Sequence, residues 1–176
     1  KYNIGVVERH DIPGTLTPLM TVIFNDGKEK TYSPCVFPWH EVKVSKSDFA
    51  RHICTIAALT GDDAMIDGAC PLIAEVEADR RRTAFTILLR RHSTPIQRRT
   101  VLEALADRET YTRADAYNYA KGMTLTPEEY AIVEGHLRFK TADIRKNCME
   151  LLMKQEDPAL TETLTRLLNA PKEESR

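Results

Sequence analysis

Residues 126–176 read TPEEYAIVEGHLRFKTADIRKNCMELLMKQEDPALTETLTRLLNAPKEESR, and the helix starts within them decide the fold. Thr126-Pro127-Glu128-Glu129 has the form of a capping box, with Thr at the N-cap, Pro at the first helical position and Glu at the third. Asp157-Pro158 repeats cap plus proline 31 residues later, and Thr94-Pro95-Ile96-Gln97 precedes it by 32. Proline is tolerated there because its missing N–H has no helical acceptor. Three such starts at a spacing of 31–32 indicate an internal repeat.

The second helix of each expected pair keeps the same register. Asp143 to Leu152 parallels Asp79 to Leu88 at an offset of 64, and the copy between them keeps Arg113, Ala116, Tyr119 and Ala120. Arg81, Arg113, Arg145 and Arg176 therefore stand 32, 32 and 31 apart, and Glu174 follows Asp143 by 31. In the first helices Val101, Val133 and Leu164 correspond, as do Leu105, Leu137 and Leu168. Ile144, Cys148, Leu151 and Leu152 form one apolar stripe, and Leu160, Leu164, Leu167 and Leu168 form another. One such pair cannot cover both its faces, so stacked copies are expected: an all-α-dominated α-solenoid.

This pattern resembles the HEAT/armadillo class of helical repeats, on the strength of Asp143-Ile144-Arg145 opening one helix and Asp157-Pro158 opening the next. The likeness covers roughly residues 62–176. It implies a ladder of Asp and Arg between neighbouring units, and so a structural role for Asp79, Arg81, Arg113, Asp143 and Arg145. Tyr111 stands where that ladder expects an Asp in the middle unit. The helical stretches also resemble uncharacterised bacterial proteins around the molybdate-metabolism-regulator family.

The helices are expected at about 47–59, 62–78 with a kink or break at Gly68 and Pro71, 79–92 (divided from the one before at Asp79, or continuous with it, since nothing punctuates Leu72–His92), 94–107, 112–121, 126–139, 141–154 and 157–169. Ser45 or Ser47 caps the first, and Thr60-Gly61 ends it. Residues 1–45 read differently, which divides the chain into an N-terminal segment and a helical array over 46–176. Tyr2–Val7 and Leu19–Phe24 are strand-like, Asn25-Asp26-Gly27 is a turn signal, and Lys28–Val36 can return as a second strand. Such a hairpin needs a surface to pack on, so it is expected to cap the array or to close a preceding domain, with Trp39 as an apolar plug. The chain lacks an initiator Met and its last repeat is incomplete, so it reads as a piece of a longer protein; a charged tail at Lys172–Arg176 is the other reading.

Composition narrows the function. At 42% hydrophobic and 29% charged, the chain can build a core and is not a disordered tail. No apolar run approaches the roughly 20 residues that a membrane helix needs, and no signal peptide is legible. Cys35, Cys54, Cys70 and Cys148 form no Cys-x-x-Cys and read as reduced thiols of a cytoplasmic protein. A site built from Cys35, His40, His52 and Cys54 is disfavoured, because residues 52 and 54 of a helix point about 200° apart. No phosphate loop, nucleophile elbow or kinase set occurs, and Glu128-Glu129 sits where acid favours a helix N-terminus. No catalytic residue, metal or cofactor is therefore expected.

Charge distribution is the exception. Residues 80–99 hold seven arginines, at 80, 81, 82, 90, 91, 98 and 99, and no acid, in a chain of net charge −1. Five of them lie near expected helix starts, where positive charge is unfavourable. Exchange with Glu75, Glu77 and Asp79 would account for them, beside the structural role of Arg81. The functional alternative is an anionic partner held by Arg82, Arg90, Arg91, Arg98 and Arg99. Stacked helix pairs make extended surfaces for protein partners, so a protein-interaction scaffold is the first expectation. Nucleic-acid binding is the second, since alkylpurine DNA glycosylases use a HEAT-like fold, although no Trp lies in this array.

Overall fold

The structure, a computed structural model, describes residues 30–32 and 42–169. Two short strands come first. β1 (Lys30–Tyr32) pairs antiparallel with β2 (Val42–Val44), in the register Lys30 with Val44 and Tyr32 with Val42. β1 falls inside the expected return strand, but its partner lies after it in sequence. The strand-like stretches Tyr2–Val7 and Leu19–Phe24, the Asn25-Asp26-Gly27 turn and Trp39 lie outside the described residues.

The rest is mostly helix. α1 spans Lys46–Thr60, α2 Asp63–Ala69, α3 Ala78–Leu88, α4 Pro95–Glu103, α5 Thr110–Lys121, α6 Pro127–Gly135, α7 Ala142–Leu152 and α8 Asp157–Asn169. The expected starts are set by local chemistry. Ser45 forms a capping box with Asp48, and Thr126 forms one with Glu129. Gly61 closes α1 at φ 66, a left-handed conformation that glycine adopts without strain. The break between 62 and 78 takes a definite form. The chain tightens into a 3-10 helix over Cys70–Glu75, with Pro71 in its first turn.

Other details differ from the sequence expectation. α4 and α6 stop earlier than expected, and each continues as one 3-10 turn, Ala104–Ala106 and His136–Arg138. α5 starts at Thr110 rather than Thr112, because the Glu109 carboxylate accepts the Tyr111 and Thr112 amides and caps the helix. Gln97 does not complete a capping box with Thr94. Its Oε1 accepts the Ser93 amide at 2.9 Å, and its Nε2 donates to Asp63 and Asp67 on α2.

The helices lie in two layers. α1, α3, α5 and α7 form one, with α3 on α1, α5 on α3 and α7 on α5; α2, α4 and α6 pack in order in the other. The small side chains Ala84, Ala116 and Cys148 are buried in the first layer, and Val101 and Val133 are buried in the second. Leu164, expected to be their equivalent, is instead 37% exposed, and Leu168 is 85% exposed. The side chain that α8 buries is Thr163, and a cleft of about 1020 Å³ separates α8 from α6, with Leu125 and Tyr130 on one wall and Leu167 on the other. No described helix covers the outer face of α8.

Leu151 is fully buried on α7. Leu151→Ala is expected to lose about 2–5 kcal/mol in urea denaturation, the usual range for a buried Leu that leaves a cavity. Leu168→Ala is expected to change stability by less than about 0.5 kcal/mol, as for an exposed position.

Candidate interaction surface

The belt arginines lie along α3 and α4 and in the turn between them, and four of the seven reach acids outside their own helix. Arg80 bonds Asp48 at 3.0 Å. Arg82 donates through Nε to Asp115 at 2.6 Å and lays its guanidinium over the Tyr111 ring, 5.3 Å from the centroid. Arg98 bonds both oxygens of Glu129 at 2.6 Å and the Thr124 carbonyl at 2.8 Å. Arg99 pairs with Glu103 on its own helix, at an exposed site where such a pair contributes little. Arg91 reaches only the Gly61 carbonyl, at 3.4 Å. Arg90 is exposed and makes no hydrogen bond among the described residues. The five candidate positions thus divide: Arg82, Arg98 and Arg99 are paired with acids, while Arg90 and Arg91 project beside the turn after α3.

That turn is tightly held. His92 sits at φ 34, where few non-glycine residues go, with Nδ1 donating to the Leu89 carbonyl at 3.0 Å. Its ring stacks on Tyr119, and Tyr119 stacks on Phe85.

Arg81, Arg113 and Arg145 share a different geometry. Each is the fourth residue of its helix. Each donates to the carbonyl of the residue that closes the preceding 3-10 turn: Arg81 to Val76 at 3.0 Å, Arg113 to Asp107 at 2.9 Å, Arg145 to Phe139 at 2.7 Å. Helix ends leave carbonyls without partners, and a guanidinium with five donors can satisfy them and bind a carboxylate as well. Arg81 takes Asp107 at 3.0 Å, and Arg113 takes Asp143 at 2.7 Å. Burial raises the Asp143 pKa, but the hydrogen bond and charge of Arg113 together with the Ile144 and Asp143 amides outweigh it, and the carboxyl is held below its ordinary range. Asp79 is exposed and lies 3.7 Å from Arg80, so the acid facing Arg81 is Asp107. Asp107 stands one interval from Val76 and from Phe139, neither of them acidic, so comparison of the copies did not mark it as a ladder residue. Gln97, fully buried, was also missed as a bridge between α4 and α2.

The three cysteines among the described residues are poor nucleophiles. Burial pushes the Cys54 thiol up to about 12 and the Cys70 and Cys148 thiols up to about 11. Cys54 is buried on α1 while His52 is exposed; Cys35 and His40 lie outside the described residues. Among the described residues no group of three or more His, Cys, Asp or Glu side chains is placed to hold a metal ion.

Apolar exposure is the remaining surface feature. Met149 and Met153 lie one turn apart at the end of α7, and Leu164 and Leu168 one turn apart on α8. No described helix is long and apolar enough to cross a membrane.

Residues 22–176 match a family described as being of unknown function, DUF5724. The chain belongs to that family. No curated protein and no solved structure matches it. DUF5724 carries no assigned chemistry, so the surface features above are the basis for a functional reading.

The Arg98–Glu129 pair makes stability depend on pH. The Arg98 hydrogen bond, acting against burial, holds the Glu129 carboxyl below its ordinary range. A carboxyl depressed in the folded state contributes stability above its unfolded pKa, near 4.3, and loses it as pH falls through the folded value. Arg98→Gln is therefore expected to lower stability at pH 7 and to flatten the loss of stability between about pH 5 and pH 3. Urea midpoints of both proteins across that range measure it; parallel curves would contradict it.

Proposed function

We propose that this chain is a HEAT-like α-solenoid segment that serves as a protein-interaction scaffold in the cytoplasm. The observation that carries the reading is the exposed apolar end formed by α7 and α8. Leu164 and Leu168 continue a stripe whose counterparts Val101, Leu105 and Val133 are buried. The exposed methionines of α7, Met149 and Met153, fit a surface that adapts to a partner. The repeat itself is supported by side-chain bonds that recur at separations of 30–34 residues, among them Arg98 to Glu129, Arg113 to Asp143, His136 to Leu102 and Arg166 to Glu134. Buried free cysteines agree with a reducing compartment.

Nucleic-acid binding is the weaker reading, because it needs several arginines free to meet phosphates. Arg80, Arg81, Arg82 and Arg98 already face acids outside their own helices.

The test places a photo-crosslinking amino acid at Leu168 and, as a control, at Arg99, in cells that produce the protein. A discrete protein adduct from position 168 and none from 99 is expected. Adducts from neither position would contradict the reading. Binding of a labelled duplex with log K falling by about 0.9 per log salt for each phosphate contact would replace it with the nucleic-acid alternative.

A further inference from the structure

α4 packs directly on α6, but α6 and α8 leave the cleft of about 1020 Å³ between them. Its walls carry small residues where the helices face each other: Ala131 and Gly135 one turn apart on α6, Ala159 and Thr163 one turn apart on α8. A side-chain carbon added at Gly135 would meet nothing within 4 Å. One strut spans the gap. Arg166 on α8 bonds Glu134 on α6 at 2.7 Å and is itself held by Thr163 at 3.3 Å. The volume is at the upper end of the roughly 300–1,000 Å³ usual for small-molecule sites.

The cleft is distinct from the uncovered apolar stripe of α8. Its lining residues Ala159, Thr163 and Arg166 lie roughly 130° around the helix from Leu160, Leu164 and Leu168, at about 100° per residue. A helix laid on that stripe therefore leaves the cleft open. Described residues form both walls and the floor, which is made by residues 154–156 in the turn before α8.

The lining selects a kind of ligand. Leu125, Tyr130, Leu137 and Leu167 give it an apolar surface. The polar groups are unequal. Glu134 is taken by Arg166, which also lies 3.7 Å from Glu162. Glu156, exposed at the rim, is the lining carboxylate with no cation among the described residues. Against it stand three groups with donors to spare. Arg138 makes no hydrogen bond or ion pair among the described residues and rests on the Phe139 ring, 5.3 Å from its centroid. Lys154 gives one donor to the Lys121 carbonyl at 2.6 Å and meets no acid among the described residues. The half-buried Tyr130 hydroxyl has no partner among the described residues, and burial raises its pKa, which keeps it a donor.

We infer that the cleft binds a small amphipathic anion, a molecule with an apolar body and a single oxyanion head such as a carboxylate. The body lies between the small residues of the two walls, and the head meets the Arg138 guanidinium. Removing apolar surface from water supplies most of the affinity, and the charge decides which head group is accepted.

Decanoate, below its micellar range, is the probe, with decylammonium as the same body under the opposite charge. Both are titrated calorimetrically into the protein. Saturable binding of one decanoate is expected, with decylammonium weaker by about tenfold or more. Gly135 has an ordinary helical φ of −58, so Gly135→Leu fills the cleft without backbone strain. That variant is expected to weaken decanoate binding by about tenfold or more and to leave the urea midpoint unchanged or higher. Ala131→Leu, on the same wall, repeats the test should Gly135→Leu fail to fold. Arg138→Gln is expected to weaken decanoate binding by at least about threefold and to narrow the gap to decylammonium. No binding of decanoate, or binding indifferent to both cavity-filling variants, overturns the inference. Equal binding of the two probes, or no effect of Arg138→Gln, overturns it as well.

Discussion

The fold depends on a guanidinium placed four residues into a helix, where it can reach the end of the helix before. Arg81, Arg113 and Arg145 each bond the carbonyl that closes a 3-10 turn, at Val76, Asp107 and Phe139. Those carbonyls lie at corners where the backbone has left one helix and not yet entered the next, so no intrahelical donor reaches them. Satisfying them fixes the angle of each corner. In two of the three cases the same guanidinium then binds an acid of the following pair, which fixes the position of that pair as well. A lysine could serve one of these roles but not both, since only the planar fork presents several donors in fixed directions.

The arginine-rich stretch is then a consequence of architecture. A basic run with no acid inside it looks, in sequence, like a surface for an anion. In three dimensions its acids come from 26–33 residues away on either side: Asp48 for Arg80, Asp107 for Arg81, Asp115 for Arg82 and Glu129 for Arg98. Local charge counting misses this because it asks only about sequence neighbours. In the proposed array the neighbour that matters is about 32 residues distant. Arg99 pairs only with Glu103 of its own helix, and Arg90 and Arg91, in the turn after α3 beside the His92–Tyr119–Phe85 stack, pair with no acid among the described residues.

Helix positions were legible in the sequence because caps and prolines act locally. Ser45, Thr94 and Thr126 accept the amides their spacing predicts, and Gly61 ends α1. The buried Ala84, Ala116 and Cys148 were legible because small residues recur at one interval. The details that escaped depend on tertiary context. Gln97 looks like a surface capping residue, yet it is buried because Asp63 and Asp67 of α2 stand opposite its amide. Asp107 is a turn residue whose equivalents, Val76 and Phe139, are not acidic, and it becomes the partner of Arg81 only when the corner folds. Leu164 carries the same pattern as Val101 and Val133 but is exposed, because burial of a stripe requires a helix on the other side and none of the described helices lies there.

The central claim is that the buried arginines act as cross-links between successive helix pairs. A double-mutant cycle on Arg113 and Asp143, with Arg113→Gln, Asp143→Asn and the double variant compared by urea denaturation, tests it most directly. The account predicts a favourable coupling of at least about 1 kcal/mol, as for contacting residues that share a hydrogen-bond network. A coupling below about 0.3 kcal/mol, the scatter seen for independent sites, would contradict it.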